Sequence, residues 1–198
     1  MKSTYSTLLF LLSICYFMQT GDAQKTTYVY SVSDTIPFGK PNPEAPKALE
    51  DYAELIGTCD CISKTKNKDK TWAEPIDMQW TFKYIMNGTA VQDETLKSDG
   101  KHSGSIRQFD PDSLQWYVHY YSGTGMAPNL STWKGKRKED EIRLYKPQKA
   151  PNGMKGFYRI RFYDITENGF NWVGAWTNEK EDFVYETWKI KCVKRNGP

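Results

Sequence analysis

The sequence predicts an all-β protein, a closed antiparallel up-and-down barrel of about ten strands with one short N-terminal helix. Three observations carry this. From Gly57 to Val193 the chain is a series of short alternating segments with no second stretch of helical period. Three of the links are turn chemistry, Asn87-Gly88, Asp110-Pro111-Asp112 and Asn168-Gly169, and such short links force antiparallel neighbours. A single-chain meander of this length must also manage its exposed edges, and closure into a barrel removes them. The composition agrees: of 198 residues, 15% are aromatic (7 Trp, 13 Tyr, 9 Phe), 38% hydrophobic and 26% charged. Large rings spread among polar residues suit half-buried strands and exclude disorder, collagen, coiled coil and a polytopic membrane protein. With 27 basic and 24 acidic residues the net charge is +3, too balanced for a polyanion to be the natural partner.

The elements follow in order. Residues 1–23 read as a signal peptide: Lys2, an apolar run of 11 residues from Leu8 to Met18, then the small-x-small pattern Gly21-Asp22-Ala23. That run is shorter than the ~18–20 residues a spanning helix needs, so no stable membrane insertion is expected and the chain is read as exported, periplasmic or secreted. A lipid-anchored Cys15 is disfavoured because bulky Ile14 precedes it. Residues 24–41, with Pro37 and Pro41 and no clear period, read as a flexible leader or an edge-laid segment. Residues 42–198 form the barrel domain. Asn42 is the candidate N-cap of the helix and Pro43 suits its first turn, while Leu49, Tyr52, Ala53 and Ile56 fall at i, i+3, i+4 and i+7 before Gly57 ends it. Pro46 requires the helix to begin near it.

The predicted strands are Gly57–Lys64, Met78–Met86, Thr89–Leu96, His102–Phe109 and Leu114–Ser122, then Thr132–Arg137, Glu141–Tyr145, Gly156–Ile165, Phe170–Thr177 and Phe183–Val193. Three links are longer than hairpins, Thr65–Asp77, Gly123–Ser131 and Lys146–Lys155, and loops of this size at a barrel mouth often carry function. Loss of the signal peptide would remove one basic and one acidic residue, leaving the charge at +3, together with Cys15. Cys59, Cys61 and Cys192 remain. Cys59 and Cys61 share one strand face and bridge each other poorly, so Cys192 is the partner of one of them. Such a link joins the first and last strands, as closure requires. Neither His102 nor His119 stands at zinc-like spacing, so no metal is expected, nor any other cofactor.

The segments LEDYAELIGTCDC, IMNGTAVQDE and RQFDPDSLQWYVHYYSGTG, within an overall likeness from Pro43 to Val193, resemble the calycin or lipocalin-like barrel domains of unknown function found in exported bacterial proteins. The resemblance implies a closed barrel with an internal cavity and no settled activity. Cys59 stands where that family usually has the Trp that plugs one barrel end. The resemblance therefore implies that an inward Cys59 bonded to Cys192 takes the plug's place, with Cys61 as the other possible partner.

Strand faces give the candidate residues. On Leu114–Ser122 one face is Leu114, Trp116, Val118 and Tyr120, and the other Gln115, Tyr117, His119 and Tyr121. If the second face points inward, His119 between Tyr117 and Tyr121 is placed for acid–base work; the bland reading puts it outside. Arg159 and Arg161 share a face and would clamp an anion if inward, or solvate the sheet if outward. Phe170, Trp172, Gly174 and Trp176 form an aromatic stripe, in which Gly174 leaves space between two rings for a stacked ligand. Glu186 shares its alternation with Trp188, Ile190 and Cys192 and so reads as inward. The basic runs at 64–70 and 134–138 are read as solvated loops and edge charges, with no nucleic-acid partner.

The leading functional expectation is an exported barrel that binds a small molecule, a sugar fragment or an amphipathic acid, through Trp172, Trp176, Arg159, Arg161, Tyr117 and Tyr121. The alternatives are a lyase or isomerase using an interior His119 with Tyr117 or Tyr121, and an accessory protein of polysaccharide utilisation with a filled barrel and no ligand.

Overall fold

A computed structural model of the chain describes residues 28–125 and 129–195; the expected signal peptide and cleavage site lie outside them. A 3₁₀ helix, Lys47–Leu55, precedes ten strands: β1 (Gly57–Thr65), β2 (Ile76–Ile85), β3 (Ala90–Lys97), β4 (His102–Asp110), β5 (Gln115–Ser122), β6 (Ser131–Lys138), β7 (Glu141–Pro147), β8 (Gly156–Thr166), β9 (Gly169–Asn178) and β10 (Val184–Lys194). Each strand pairs antiparallel with its sequence neighbours, and β1 pairs with β10, closing the barrel. The predicted strands agree with these within a residue or two at each end.

The helix differs from expectation in kind. Its buried residues are Leu49, Tyr52 and Leu55, a spacing of three, while Ala53 is exposed. Three residues per turn is the 3₁₀ period, and it places those three side chains in one row over the barrel end. The helix starts directly after Pro46. Asn42 makes a local turn instead of a cap, its Oδ1 accepting from the Glu44 N–H at 2.9 Å. The described part of the leader, 28–41, is laid along the barrel: the Tyr84 N–H donates to the Phe38 carbonyl at 2.8 Å, and the Tyr30 N–H to Asn87 Oδ1 at 3.1 Å. Gly88, at φ +80°, makes this crossing possible, because a Cβ there would collide with the backbone at Lys40 and Asn42.

The two barrel ends are built differently. At one, β2–β3, β4–β5, β6–β7 and β8–β9 are joined by tight turns, and the 3₁₀ helix lies across them. Tyr52 stands edge-on to Trp116 with centroids 4.8 Å apart, and Phe82, Phe162 and Phe170 pack beneath. Trp116 Nε1 donates to Asp51 Oδ2 at 2.9 Å and Arg137 Nη1 to the Asp51 carbonyl at 2.9 Å, so the helix is clasped from β5 and β6. The other end carries the three long loops predicted from the sequence, on one rim because alternate links of an up-and-down meander return to the same side.

The disulfide joins Cys61 to Cys192, and Cys59 is a free, buried thiol, which corrects the expected Cys59–Cys192 bridge. The reason is register. Cys61 lies directly opposite Cys192, with Cα atoms 4.1 Å apart, whereas Cys59 is opposite Lys194 on β10 and Trp80 on β2. A cross-strand bridge needs the directly opposed pair. Burial pushes the Cys59 thiol up to about 11, which keeps it protonated and unreactive at neutral pH.

Cys192→Ser, which removes a bridge closing nearly the whole domain, should lower unfolding free energy by roughly 2–4 kcal/mol in urea titrations. In a Cys15→Ser background, Ellman's reagent should find no reactive thiol in the native protein at pH 8 and one after unfolding. A native thiol titrating at neutral pH would contradict this assignment.

Candidate functional site

The inner face of the barrel is plugged with aromatics at the helix end and hollow toward the loop rim. The hollow is a cavity of 230 Å³. Its walls are mainly apolar: Trp80, Trp133, Trp172 and Trp188 turn their rings to it, with Leu144 and Ile160 between them. One side is polar. Thr95, Ser103, Ser105, Asp93 and Arg107 face it from β3 and β4, in a register that sets Asp93 against Ser105 and Thr95 against Ser103.

An ion pair between Asp93 and Arg107 organises this polar side. The Arg107 side chain is 3% exposed, and its Nη1 donates to Asp93 Oδ1. Asp93 also accepts from Ser105 Oγ and, at 2.7 Å, from Trp80 Nε1. The guanidinium lies over Phe82 at 5.0 Å and Tyr52 at 5.1 Å. Burial works against its charge, but the Asp93 carboxylate prevails and holds Arg107 above its ordinary value. Burial also pushes the Tyr52 phenol up to about 12, so it stays neutral. Arg107 Nε and Trp133 Nε1 are buried without a partner, and each such donor costs ~1–3 kcal/mol until something accepts from it.

Among the predicted site residues, Trp172 lines this cavity, 5.1 Å from Trp188. Trp176, two positions further along the same face past Gly174, is beyond it at the rim, its Nε1 donating to the Gln148 carbonyl at 3.0 Å. Gly174 leaves no room for a ligand between them. A Cβ there would meet the Tyr158 hydroxyl and, at 2.9 Å, the edge of Trp172, so the glycine admits a neighbouring side chain. The other candidates are on the outer face. Tyr117 lies under Lys134 Nζ at 5.0 Å, His119 Nδ1 is 3.0 Å from Thr132 Oγ1, and the Tyr121 hydroxyl accepts from Gln92 Nε2 at 2.9 Å across Gly104. Trp116 and Val118 are the buried face of β5, so the apolar alternate set wins the interior.

Arg159 and Arg161 point outward too. Arg159 Nη1 donates to Glu181 Oε2 at 2.6 Å, and Arg161 holds Glu141 with two donors while Arg143 Nε adds a third at 2.7 Å. The expectation that Arg159 and Arg161 bind a ligand inside the barrel therefore fails, and of the two readings of His119 the outward one holds. Glu186 is also outward, in an ion pair with Lys189 at 2.6 Å, because a bulge between Glu186 and Trp188 breaks the alternation that made it look buried. Among the described residues no group of three or more His, Cys, Asp and Glu could hold a metal ion. Asp93 and Arg107 escaped the sequence reading because β3 and β4 carry polar residues on both faces. Their signal is relational, an acid and an arginine that fall on the same face only once the β3–β4 register is known.

Arg107→Met, which strands the Asp93 carboxylate, should destabilise by about 3–5 kcal/mol, and Asp93→Leu combined with Arg107→Met should recover most of that loss. Additive losses in a double-mutant cycle would show that the two side chains are not coupled. The Glu141 carboxyl is held below its ordinary 4.5, chiefly by hydrogen bonds from Arg161 and, against some burial, from Arg143. A depressed folded-state value gives stability that is present above pH 4.5 and lost as pH falls through the lower folded value. Glu141→Gln should thus cost more stability at pH 7 than in acid, the difference opening below pH 4.5; equal costs throughout would rule out this linkage.

No family model matches the sequence, and no curated protein matches it. In shape the chain is similar to Rv2717c from M. tuberculosis, with a TM-score of 0.51 and 10% identity, covering 77% of this chain and 100% of that one. It is also similar to the S-type phycobiliprotein lyase CPES from Guillardia theta, with a TM-score of 0.49 and 9% identity over 75% of this chain and 93% of that one. A DUF3598-family protein of unknown function from Nostoc punctiforme follows with a TM-score of 0.25 and 6% identity, over 76% and 100%. At these identities the likeness is one of fold alone. The chain is a closed ten-strand antiparallel barrel, and at the level of fold the resemblance read from the sequence holds.

Proposed function

We propose that the protein is an exported carrier of a small molecule, held in the cavity between the aromatic plug and the loop rim. The observation that carries this reading is the cavity itself, an apolar hollow of 230 Å³ with one polar side. Apolar cavities of ~150 Å³ hold a benzene ring, so this one suits a single ring with substituents. It is smaller than the ~300 Å³ at which ordinary ligand pockets begin, which argues against a long-chain acid or an oligosaccharide. A sugar fragment would also leave hydroxyls facing Leu144, Ile160 and Ile190 without partners. The ligand that fits is a compact, mostly apolar ring bearing one acceptor. Trp133 Nε1 and Arg107 Nε are the unpartnered donors on the residues that border the cavity.

No observation favours the lyase or isomerase reading, since Tyr117, His119 and Tyr121 do not line the cavity. Acetophenone and ethylbenzene, matched in size and differing in a carbonyl, test the proposal in thermal-shift titrations. Acetophenone at ten times its Kd should raise Tm by about 3–5 °C, and ethylbenzene by less. Trp133→Phe, which keeps an aromatic side chain and removes the N–H, should narrow the difference between them, leaving Arg107 Nε as the remaining unpartnered donor. If neither probe nor other single-ring compounds shift Tm, the barrel is no carrier and the ligand-free accessory role takes its place.

A further inference from the structure

The loop rim builds a second concavity that the interior cavity does not explain. It is an open groove of 780 Å³, walled by the β7–β8 link and by the end of β9 and start of β10. That volume is within the range of small-molecule sites. Its floor is Trp176, with Phe183 tilted against it at 6.1 Å, and Met154 and Tyr185 complete an apolar surface. Phe183 and Met154 are 55% and 50% exposed, so two large apolar side chains are left in water at one place. Single exposed hydrophobics are unremarkable, but a contiguous concave set marks a binding surface.

The charge of the groove is one-sided. Lys70 and Lys149 line it, and among the described residues no Asp or Glu does. The groove is also separate from the cavity, because the two share no lining residue. A hydrogen-bonded pair stands between them: Tyr158 faces the cavity, Thr187 faces the groove, and their hydroxyl oxygens are 3.1 Å apart. Thr187 Oγ1 further donates to the Gly174 carbonyl at 3.2 Å. Gly174 is where this pair needs a residue without a side chain, since the Tyr158 hydroxyl occupies the space a Cβ would take.

We propose that the groove is a second ligand site, for a flat amphipathic anion of the aromatic carboxylate class. The ring would stack on Trp176 and Phe183, and the carboxylate would lie between Lys70 and Lys149. Stacking is specific for shape, and the lysines select the sign of the charge. The proposal does not depend on the interior site being occupied.

Three probes of one shape and different charge test it on the full chain: 2-naphthoate, 2-naphthylmethanol and 2-naphthylmethylammonium. Affinity is read by calorimetry, and location by the NMR shift of the Met154 methyl group. Naphthoate should move that methyl and bind about five to ten times more tightly than the alcohol, which is what two partly exposed charge contacts supply. The ammonium probe should bind more weakly than either. Lys70→Gln combined with Lys149→Gln should reduce naphthoate to the level of the alcohol and leave the alcohol unchanged. Phe183→Ser should weaken both, and Trp133→Phe in the interior should affect neither. Equal binding of anion and alcohol, insensitivity to the double lysine variant, or no Met154 response would each overturn the proposal. Retained acetophenone binding in that event would show the interior reading standing without it.

Discussion

Pairing of β1 with β10 is the constraint on which the rest depends. Every other strand contact is between sequence neighbours, and hairpins alone would give an open sheet with two edges. Closing the circuit fixes which face of each strand is interior. It also removes water from Asp93 and Arg107 and defines the hollow that the aromatic plug leaves unfilled. The covalent link sits on this pair of strands, where Cys61 and Cys192 face each other. Chain closure over so long a loop is where a disulfide most reduces the freedom of the unfolded state.

Inside the closed barrel the two halves have opposite duties. At the helix end, Tyr52 and Trp116 interlock with the phenylalanines below, and the 3₁₀ helix, tied down through Asp51, seals the opening. At the rim, loops replace turns and the rings no longer fill the bore. Arg107 stands at the boundary, its guanidinium against Phe82 and Tyr52 on one side and bordering the cavity on the other. A buried ion pair is weak evidence of stability, because desolvation consumes much of the attraction. Its position beside the interior cavity would bring it against any molecule held there.

Surface charge follows a different logic. Arg159 and Arg161 were attractive as an anion clamp because guanidiniums two residues apart share a face. On the outer wall they are engaged by Glu181 and Glu141, acids that lie 22 and 20 residues away in sequence. Arg161 uses its fork geometry on Glu141 and Arg159 a single donor on Glu181, both to knit the sheet surface. Lys70 and Lys149, which line the rim groove, stand on loops and meet no acid among the described residues.

By itself the sequence determined the fold: the ten strands, their antiparallel order, the closure and the rim that carries the long loops. These are properties of alternation, turn chemistry and link length, all local in the chain. It left the helix type open to error, since Leu49 and Tyr52 suit three and 3.6 residues per turn alike, and only the burial of Leu55 in place of Ala53 decides. Tertiary structure alone decided the contents of the barrel. Whether Cys59 or Cys61 meets Cys192 is a matter of one strand register, and Glu186 faces out because of one bulge. Asp93 and Arg107 share an interior because two strands with polar residues on both faces pair in one alignment. An inward face is defined by what stands across the barrel, and alternation within a single strand carries no information about that.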